Sequence, residues 1–238
     1  MKAGIIAAGT GERMTQGGIF TPKPMICVGG EPLIARAIRA AASVGVTSIA
    51  CIINDLTPEL DRYLRTKTWP VPLEIVKKTT PSSMESLFTL APLLAIEPFL
   101  LFTVDAVFPF ASLKRFLTKG SSLPDAQGVL ALTRFVDDEK PLRVKTDRNH
   151  RVSALGDAAG TSRYVTAGFY YFEPSIFYLV ESARARGLNA LRQFLGLLLD
   201  REYRLYGIPV SKTVDVDHPE DIETAERYLT ENARGDVP

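Results

Sequence analysis

A short apolar run at the start of the chain leads directly into a glycine-rich loop. Residues 3–8 are apolar or glycine, and their number fits a buried strand. The sequence Gly9-Thr10-Gly11 follows at once, a second glycine pair occupies positions 17–18, and Arg13 and Lys23 add positive charge. Glycines let the backbone approach an anion closely and present its N–H groups without side-chain obstruction. This stretch is therefore predicted to be a strand and loop that hold a polyphosphate.

Two common phosphate-binding loops do not match this stretch. The dinucleotide pattern G-x-G-x-x-G needs a third glycine where the chain has Met14, and the Walker pattern needs Gly-Lys-Ser/Thr, which the loop lacks. A nicotinamide dehydrogenase is therefore only a weak alternative. For the loop taken alone, an ordinary strand-to-helix turn with charged surface residues stays open as a second interpretation.

Strand-like and helix-like segments alternate over the first hundred residues. The predicted strands are residues 3–8, 48–53, 73–76 and 99–104, and the predicted helices are residues 33–44, 58–66 and 84–96. Such alternation predicts an α/β fold, a three-layer sandwich whose sheet is mainly parallel and carries helices on both faces. Parallel sheets bind ligands beyond the carboxyl ends of their strands. The glycine loop after the first strand and Asp105 after the fourth are therefore expected to share one crevice.

Asp105 stands out because a carboxylate follows a run of largely apolar residues. An unpaired buried charge is costly, so Asp105 is predicted to lie at the end of a strand and to face something positive. The alternative is a cap or turn residue that precedes a helix beginning near Pro109.

The second half of the chain continues with strands at 128–133 and 152–155 and an aromatic strand, YVTAGFYYF, at 164–172. Residues 135–150 are polar and are expected to form loops or a small hairpin over the sheet. Near the end of the chain Asp215 and Asp217 precede Pro219, which suits the first position of a closing helix. Alternation along an extended strand places Asp215 and Asp217 on the same side.

Taken together, these motifs resemble the signatures of the sugar-phosphate nucleotidylyltransferases, the family of NDP-sugar pyrophosphorylase-like enzymes. The resemblance rests on G-x-G-x-R-M followed by Lys23-Pro24, on Val104-Asp105, and on the phrase at 215–221. It implies a Rossmann-like fold of the nucleotide-diphospho-sugar transferase type. It also implies a nucleotide-binding set, which we take as Ala7, Ala8, Gly9, Thr10, Gly11, Glu12, Arg13, Lys23, Ser83, Glu85 and Ser86.

The same resemblance assigns Arg13, Lys23 and Asp105 to catalysis. It implies that Asp105 and Asp215 bind Mg²⁺, and Asp217 is an additional candidate ligand. Residues 83–86 replace the family's Gly-Thr-Ala phrase, and they also read as a plain helix start with a serine cap.

For the acceptor, the resemblance points to Thr166 and Gly168 on the aromatic strand. The family's Glu-Lys-Pro phrase is absent from residues 157–163. Lys145 is therefore the candidate that we assign to the acceptor, with Arg163 as the other nearby basic residue.

Composition limits the remaining possibilities. The 238 residues carry a formal net charge of +1, which gives no reason to expect nucleic-acid binding. No apolar run reaches the roughly 18 residues of a membrane span, and the N-terminus does not resemble a signal peptide. Cys27 and Cys51 lack metal-ligand spacing, so we expect free thiols and a cytoplasmic protein. We expect one domain over 1–238, with a nucleotide-binding half at about 1–110 and an acceptor-binding half at about 111–238, as a monomer or a homodimer.

The predicted function is Mg²⁺-dependent transfer of a nucleotidyl group from a nucleoside triphosphate to a phosphorylated small molecule. A sugar 1-phosphate is the first candidate, with release of pyrophosphate. A choline or polyol phosphate, or the pterin of a molybdenum cofactor, are alternatives within the class. A catalytically silent, nucleotide-binding regulatory module is the alternative of another class.

Overall fold

The computed structural model describes residues 1–135 and 141–233. The strands are β1 (Lys2–Ala7), β2 (Cys27–Val28), β3 (Glu31–Pro32), β4 (Ile49–Ile53), β5 (Leu73–Lys77), β6 (Phe99–Thr103), β7 (Ala106–Val107), β8 (Gly128–Thr133), β9 (Val144–Thr146), β10 (Val152–Leu155), β11 (Val165–Phe172), β12 (Leu205–Pro209) and β13 (Val214–Asp215). The α-helices are α1 (Glu12–Gln16), α2 (Leu33–Ser43), α3 (Pro58–Thr66), α4 (Ser83–Leu94), α5 (Phe110–Gly120), α6 (Val180–Ala185), α7 (Leu191–Asp200) and α8 (Pro219–Ala233). Short 3₁₀ turns occupy Lys23–Met25, Gly156–Ala159 and Pro174–Leu179.

A seven-stranded sheet forms the centre, in the order β12-β8-β11-β6-β1-β4-β5. Neighbouring strands are parallel except around β11, which runs antiparallel to both β6 and β8. Strands from both halves of the chain therefore share one sheet. The predicted mainly parallel, mixed α/β sheet is confirmed.

Helices cover both faces of this sheet because its central strands are apolar on both sides. Ile5 and Phe102 belong to one apolar core, whereas their neighbours Ile6 and Leu101 belong to the other. The first core includes residues of α2, α3, α5 and α8, and the second includes residues of α4 and α7. Alternating side chains of one strand thus pack into opposite layers, which gives the predicted three-layer sandwich.

The strand order fixes where the site lies. β1 and β6 are adjacent and parallel, with Ile6 opposite Thr103, so the loop after β1 and the turn after β6 emerge at the same edge of the sheet. The hairpin expected within 135–150 corresponds to β9 paired with β10, which extends beyond that range; residues 136–140 lie outside the described part. Within 1–135 and 141–233, no helix has the length and apolar character needed to cross a membrane.

Candidate active site

The glycine loop after β1 brings the backbone close to Lys23. Gly11 has a φ of 68°, in the left-handed region that favours glycine, and it directly precedes α1. A Cβ atom at Gly11 would lie 3.2 Å from Cβ of Lys23, so a side chain there would push against the approaching segment. The loop residues identified from the sequence thus bring two stretches of chain together.

A cavity of about 570 Å³ lies above this loop. Its walls come from the loop, the start of α4 and the turn after β6. They comprise Ile6, Ala8, Gly9, Thr10, Gly11, Glu12, Arg13, Lys23, Pro24, Thr80, Pro81, Ser82, Ser83, Ser86, Thr103, Val104, Asp105 and Asp217. Most of the predicted nucleotide-binding residues therefore line one space, which we call the loop cavity.

Two of the predicted nucleotide-binding residues, Ala7 and Glu85, do not line the loop cavity. Ala7 is the last residue of β1 and is buried within the sheet. Glu85 points to Arg184, whose guanidinium donates two hydrogen bonds of 3.1 and 3.0 Å to its carboxylate. The N–H of Glu85 donates to the hydroxyl of Ser82, 3.2 Å away, which caps α4. Both interpretations of the serine-rich stretch are therefore compatible with the structure, since it begins a capped helix and lines the loop cavity.

Lys23 forms the electrostatic centre of the site. Its ammonium donates a 2.6 Å hydrogen bond to Asp105 and a second hydrogen bond to Asp217, and only 12% of its side chain is exposed. Burial alone lowers the pKa of Lys23, but the charges of the two carboxylates outweigh it and raise that pKa above its ordinary value. Lys23 is therefore a permanently charged group between two acids.

Asp105 is held in its ionised form by the same contact. Burial raises the pKa of Asp105, but the charge and hydrogen bond of Lys23, together with hydrogen bonds from Thr103 and the backbone, lower it below its usual value. The predicted positive partner of Asp105 is thus Lys23. Of the alternative, the turn is correct and the helix cap is not, because Asp105 lies in the turn between β6 and β7 and α5 begins only at Phe110.

A small ladder brings the second acidic segment to Asp105. β13 pairs antiparallel with β7, which places Asp215 opposite Ala106. The N–H of Val216 also donates to the carbonyl oxygen of Asp105, at 3.1 Å. Two carboxylates that are far apart in the sequence therefore lie at the same end of the sheet.

Asp217 is oriented by the start of α8. The carboxylate of Asp221 accepts hydrogen bonds from the backbone N–H groups of Asp217, at 2.9 Å, and His218, at 2.6 Å. The side chain of Asp217 in turn accepts from Lys23 and, at 2.5 Å, from Arg13. Asp217 therefore ties together both cations of the predicted phosphate-binding loop, a pairing that the sequence did not reveal.

A second cavity, of about 210 Å³, adjoins the first. Ser83, Thr103, Asp105 and Asp217 line both. The rest of its wall comprises Thr133, Phe135, Pro141, Leu142, Val165, Thr166, Ala167, Gly168, Tyr170, Ala190, Leu191, Arg192, Leu195, Thr213 and Asp215. The predicted acceptor residues Thr166 and Gly168 therefore lie here, beside Asp105 and Asp215, and we call this space the acceptor cavity.

Gly168 opens the acceptor cavity by a distortion of β11. The pairing of β11 with β8 shifts register between Thr166 and Tyr170, and Gly168 has a φ of 75°. A Cβ atom at Gly168 would lie 2.5 Å from Cβ of Ala106 and 2.8 Å from Oγ1 of Thr103. Only glycine fits at this crowded position.

Sequence reasoning missed several polar residues of the acceptor cavity, among them Tyr170, Arg192 and Thr213. Burial, and then the charges of nearby Asp215 and Asp105, raise the pKa of Tyr170, so its hydroxyl stays protonated at neutral pH. Lys145, by contrast, lines a separate cavity together with Arg163. The structure thus brings Thr166 and Gly168 to the acceptor cavity and leaves Lys145 outside it.

This arrangement suits a bound cation. The ammonium of Lys23 already lies between Asp105 and Asp217, so the carboxylates can surround a positive charge. No group of three or more His, Cys, Asp or Glu side chains forms a preassembled metal cage within the described residues. Mg²⁺ commonly uses one or two carboxylates and completes its shell with water and substrate phosphates, so Asp105 and Asp215 fit its requirements.

Comparisons with known proteins agree with this geometry. A bifunctional IPC transferase and DIPP synthase from Aquifex aeolicus is 23% identical over 237 residues, covering 96% of this chain and 52% of that protein. The mannose-1-phosphate guanylyltransferase catalytic subunit beta of Drosophila melanogaster is 22% identical, covering 76% of this chain and 50% of that protein. The chain thus spans about half the length of these curated relatives.

Solved structures share the fold over nearly the whole chain. The inositol-1-phosphate CTP transferase from T. maritima superposes with a TM-score of 0.82 at 19% identity, covering 100% of this chain and 97% of that one. UDP-glucose pyrophosphorylase in complex with UDP-glucose gives 0.80 at 17% identity, covering 97% and 98%. The family model of the MobA-like NTP transferase domain matches residues 3–167, which is more than half of the sequence. The chain therefore belongs to the MobA-like NTP transferase family.

Proposed function

We propose that this protein transfers a nucleotidyl group from a nucleoside triphosphate to a small phosphorylated acceptor, with a sugar 1-phosphate as the first candidate. The observation that carries the proposal is the meeting of two cavities at Asp105 and Asp217. The glycine loop, predicted to bind phosphate, lines one cavity, and a mixed polar and apolar wall lines the other, smaller cavity. Two phosphorylated molecules bound in these cavities would present their phosphates to each other at the carboxylates.

The reaction requires alignment and neutralisation of charge more than proton transfer. An acceptor phosphate oxygen attacks the α-phosphorus of the triphosphate, a new P–O bond forms, and the bond to the β-phosphate breaks to release pyrophosphate. The acceptor phosphate is already anionic near neutral pH, so no general base is needed. Positioning of the two groups and stabilisation of the developing charge are then the contributions expected of the protein.

Lys23 and Arg13 are the groups that meet the triphosphate in this proposal. Backbone N–H groups of Gly9, Gly11 and Glu12 hold the β- and γ-phosphates together with Arg13. Lys23 lies beside Asp105, where the two cavities meet, and neutralises charge at the α-phosphate. Both cations pair with Asp217 in the structure, so triphosphate binding must exchange that carboxylate for phosphate oxygens.

We further propose that Asp105 and Asp215 hold Mg²⁺, with Asp217 as an additional ligand. Bound there, the ion would supply positive charge that neutralises the phosphates of the two substrates. The proposal is supported by the ladder between β7 and β13, which brings Asp215 beside Asp105. Hard oxygen ligands of this kind suit Mg²⁺.

The relatives support the acceptor class. The names of the similar proteins include transferases for inositol 1-phosphate and mannose 1-phosphate, both monophosphates of small polyhydroxylated rings. These names favour a sugar or cyclitol phosphate over a pterin as the acceptor.

The test is pyrophosphate release from each common nucleoside triphosphate, crossed with a panel of sugar, cyclitol, polyol and choline phosphates in the presence of Mg²⁺. We expect release that requires one triphosphate and one acceptor together. Asp105→Asn should abolish it, whereas Asp157→Asn, a matched control on an exposed 3₁₀ turn, should leave it unchanged. Triphosphate binding without release from any pair would instead favour a regulatory module.

A further inference from the structure

The polar wall of the acceptor cavity contains a buried hydroxyl that the fold does not use. Thr213 is 4% exposed and lines the cavity, immediately before β13. Its Oγ1 atom is buried and has no hydrogen-bond partner within the described part of the chain. Buried polar groups are almost always satisfied, so an unpartnered hydroxyl in a cavity wall needs an explanation. A ligand that hydrogen-bonds to it would supply one.

The same cavity wall also contains a cation, Arg192, at the start of α7. Ala190, Leu191 and Arg192 all line the cavity, and α7 begins without a side-chain cap. The first-turn N–H groups of an uncapped helix carry partial positive charge, which adds to that of Arg192. Arg192 lines the same cavity as Asp105 and Asp215, so its charge faces the space that the two carboxylates also border.

Among the described residues, Arg192 is the only cationic side chain that lines the acceptor cavity. Lys23 contacts Asp105 from the loop cavity. Lys145 and Arg163, the basic residues suggested by the sequence, line a different cavity. An acceptor phosphate that approaches Asp105 and Asp215 needs a compensating positive charge on its own side. Arg192 is placed to provide it.

We propose that Arg192 holds the phosphate of the acceptor and that the hydroxyl of Thr213 hydrogen-bonds to an acceptor hydroxyl, so that these two residues determine acceptor specificity. This inference rests on the proposed nucleotidyl transfer. The cavity, about 210 Å³, is smaller than the roughly 300–1,000 Å³ of typical drug-sized sites, which favours a single small ring. Arg192 repels a quaternary ammonium group, so a sugar or cyclitol monophosphate is recognised in preference to phosphocholine.

The experiment measures binding directly, by calorimetry on the full chain with glucose 1-phosphate, mannose 1-phosphate, myo-inositol 1-phosphate and phosphocholine as probes. We expect at least one ring monophosphate to bind more tightly than phosphocholine. Arg192→Gln should weaken that binding at least tenfold, because a charge-assisted hydrogen bond is lost. Arg192→Lys should recover part of the affinity. Arg163→Gln is the matched control and should bind the probe like the wild type.

Thr213→Val separates recognition from a structural role. The substitution keeps the shape of the side chain and removes a hydroxyl without a partner, so the midpoint of thermal unfolding should stay the same or rise. Affinity for the ring monophosphate should nevertheless fall several-fold. A lowered midpoint with unchanged affinity would show that the hydroxyl serves the fold and would overturn its assignment.

Triphosphate binding is measured in parallel, so that a failure of acceptor recognition can be told apart from a failure of the proposed nucleotidyl transfer. Arg192→Gln should bind the triphosphate within about twofold of the wild type, since the residue lines only the acceptor cavity. Wild-type affinity of Arg192→Gln for the ring monophosphate, a preference for phosphocholine, or binding of none of the probes would overturn the inference. Normal probe binding without pyrophosphate release would contradict the proposed function alone.

Discussion

Replacing Lys23 by methionine removes a positive charge that lies at hydrogen-bond distance from both Asp105 and Asp217. The side chains of Lys23, Asp105 and Asp217 are 12%, 27% and 28% exposed, so the cluster is neither fully buried nor at the surface. Breaking a buried ion pair costs about 3–5 kcal/mol and losing an exposed pair about 0–1 kcal/mol. For Lys23→Met we therefore expect the free energy of unfolding to fall by about 2–3 kcal/mol at neutral pH.

The loss should shrink in acid. In the wild type, Lys23 holds the pKa of Asp105 below its usual value, so Asp105 contributes stability above its unfolded pKa of about 4, and this is lost as the pH falls through the folded pKa. In Lys23→Met the charge and hydrogen bond of Lys23 are lost while burial remains, so the pKa of Asp105 is higher than in the wild type. Protonation of Asp105 then removes an unpaired charge from the variant as the pH falls from about 7.5 to about 5, so the variant regains part of its lost free energy of unfolding. The wild type gains no stability from Asp105 over the same range.

Urea unfolding at these two pH values, with divalent metal chelated, measures the difference. Lys145→Met is the control, because Lys145 is exposed and lines another cavity. A second readout adds millimolar Mg²⁺, which should raise the melting temperature of Lys23→Met more than that of the wild type, since a metal ion can take the place of the ammonium. An equal loss at both pH values, or no response of the variant to Mg²⁺, would refute the electrostatic account of this cluster.

Three further substitutions test how the site is built. Gly168→Ala forces a side chain onto a left-handed backbone and places its Cβ 2.5 Å from Cβ of Ala106. We expect the free energy of unfolding in urea to fall by about 2–4 kcal/mol and the acceptor cavity to be distorted. Asp221→Ala removes the acceptor for two backbone N–H groups at the start of α8 and should cost about 1–2 kcal/mol. Without Mg²⁺ it should also tighten triphosphate binding, because a displaced Asp217 no longer competes with phosphate for Arg13 and Lys23; unchanged binding would refute the orienting role of Asp221. Glu85→Gln loses only a partly exposed ion pair with Arg184, so the free energy of unfolding should change by about 1 kcal/mol or less. Triphosphate affinity, measured by calorimetry, should change by less than about twofold; a larger loss would show that Glu85 does bind the nucleotide.

The sequence allowed the architecture and one wall of the site to be predicted. Apolar runs buried on both faces identify parallel strands, and the carboxyl-edge rule then places Gly9 and Asp105 together. The structure puts both in the loop cavity. The local sequence was sufficient to place Gly9 and Asp105, because each directly follows a strand of the parallel sheet that the alternation of strands and helices predicts.

Residues that depend on helix packing could not be predicted in the same way. Arg192 lies in an amphipathic helix, whose periodicity shows which face is buried but not what its first turn faces. The pairing of Glu85 with Arg184 and the buried, unpartnered hydroxyl of Thr213 likewise depend on contacts between segments far apart in the chain. Lys145 and Arg163 were the nearest basic candidates by sequence, yet both line another cavity.

The central claim is that an acceptor phosphate attacks the α-phosphorus of a triphosphate at the junction of the two cavities. Phosphorus NMR of a reaction with the preferred triphosphate, a ring monophosphate and Mg²⁺ tests this most directly. We predict that pyrophosphate and a new diphosphate diester appear together in equal amounts, and that both are absent with Asp105→Asn. Inorganic phosphate and a nucleoside diphosphate as the products would mean attack at the γ-phosphorus and would contradict the account.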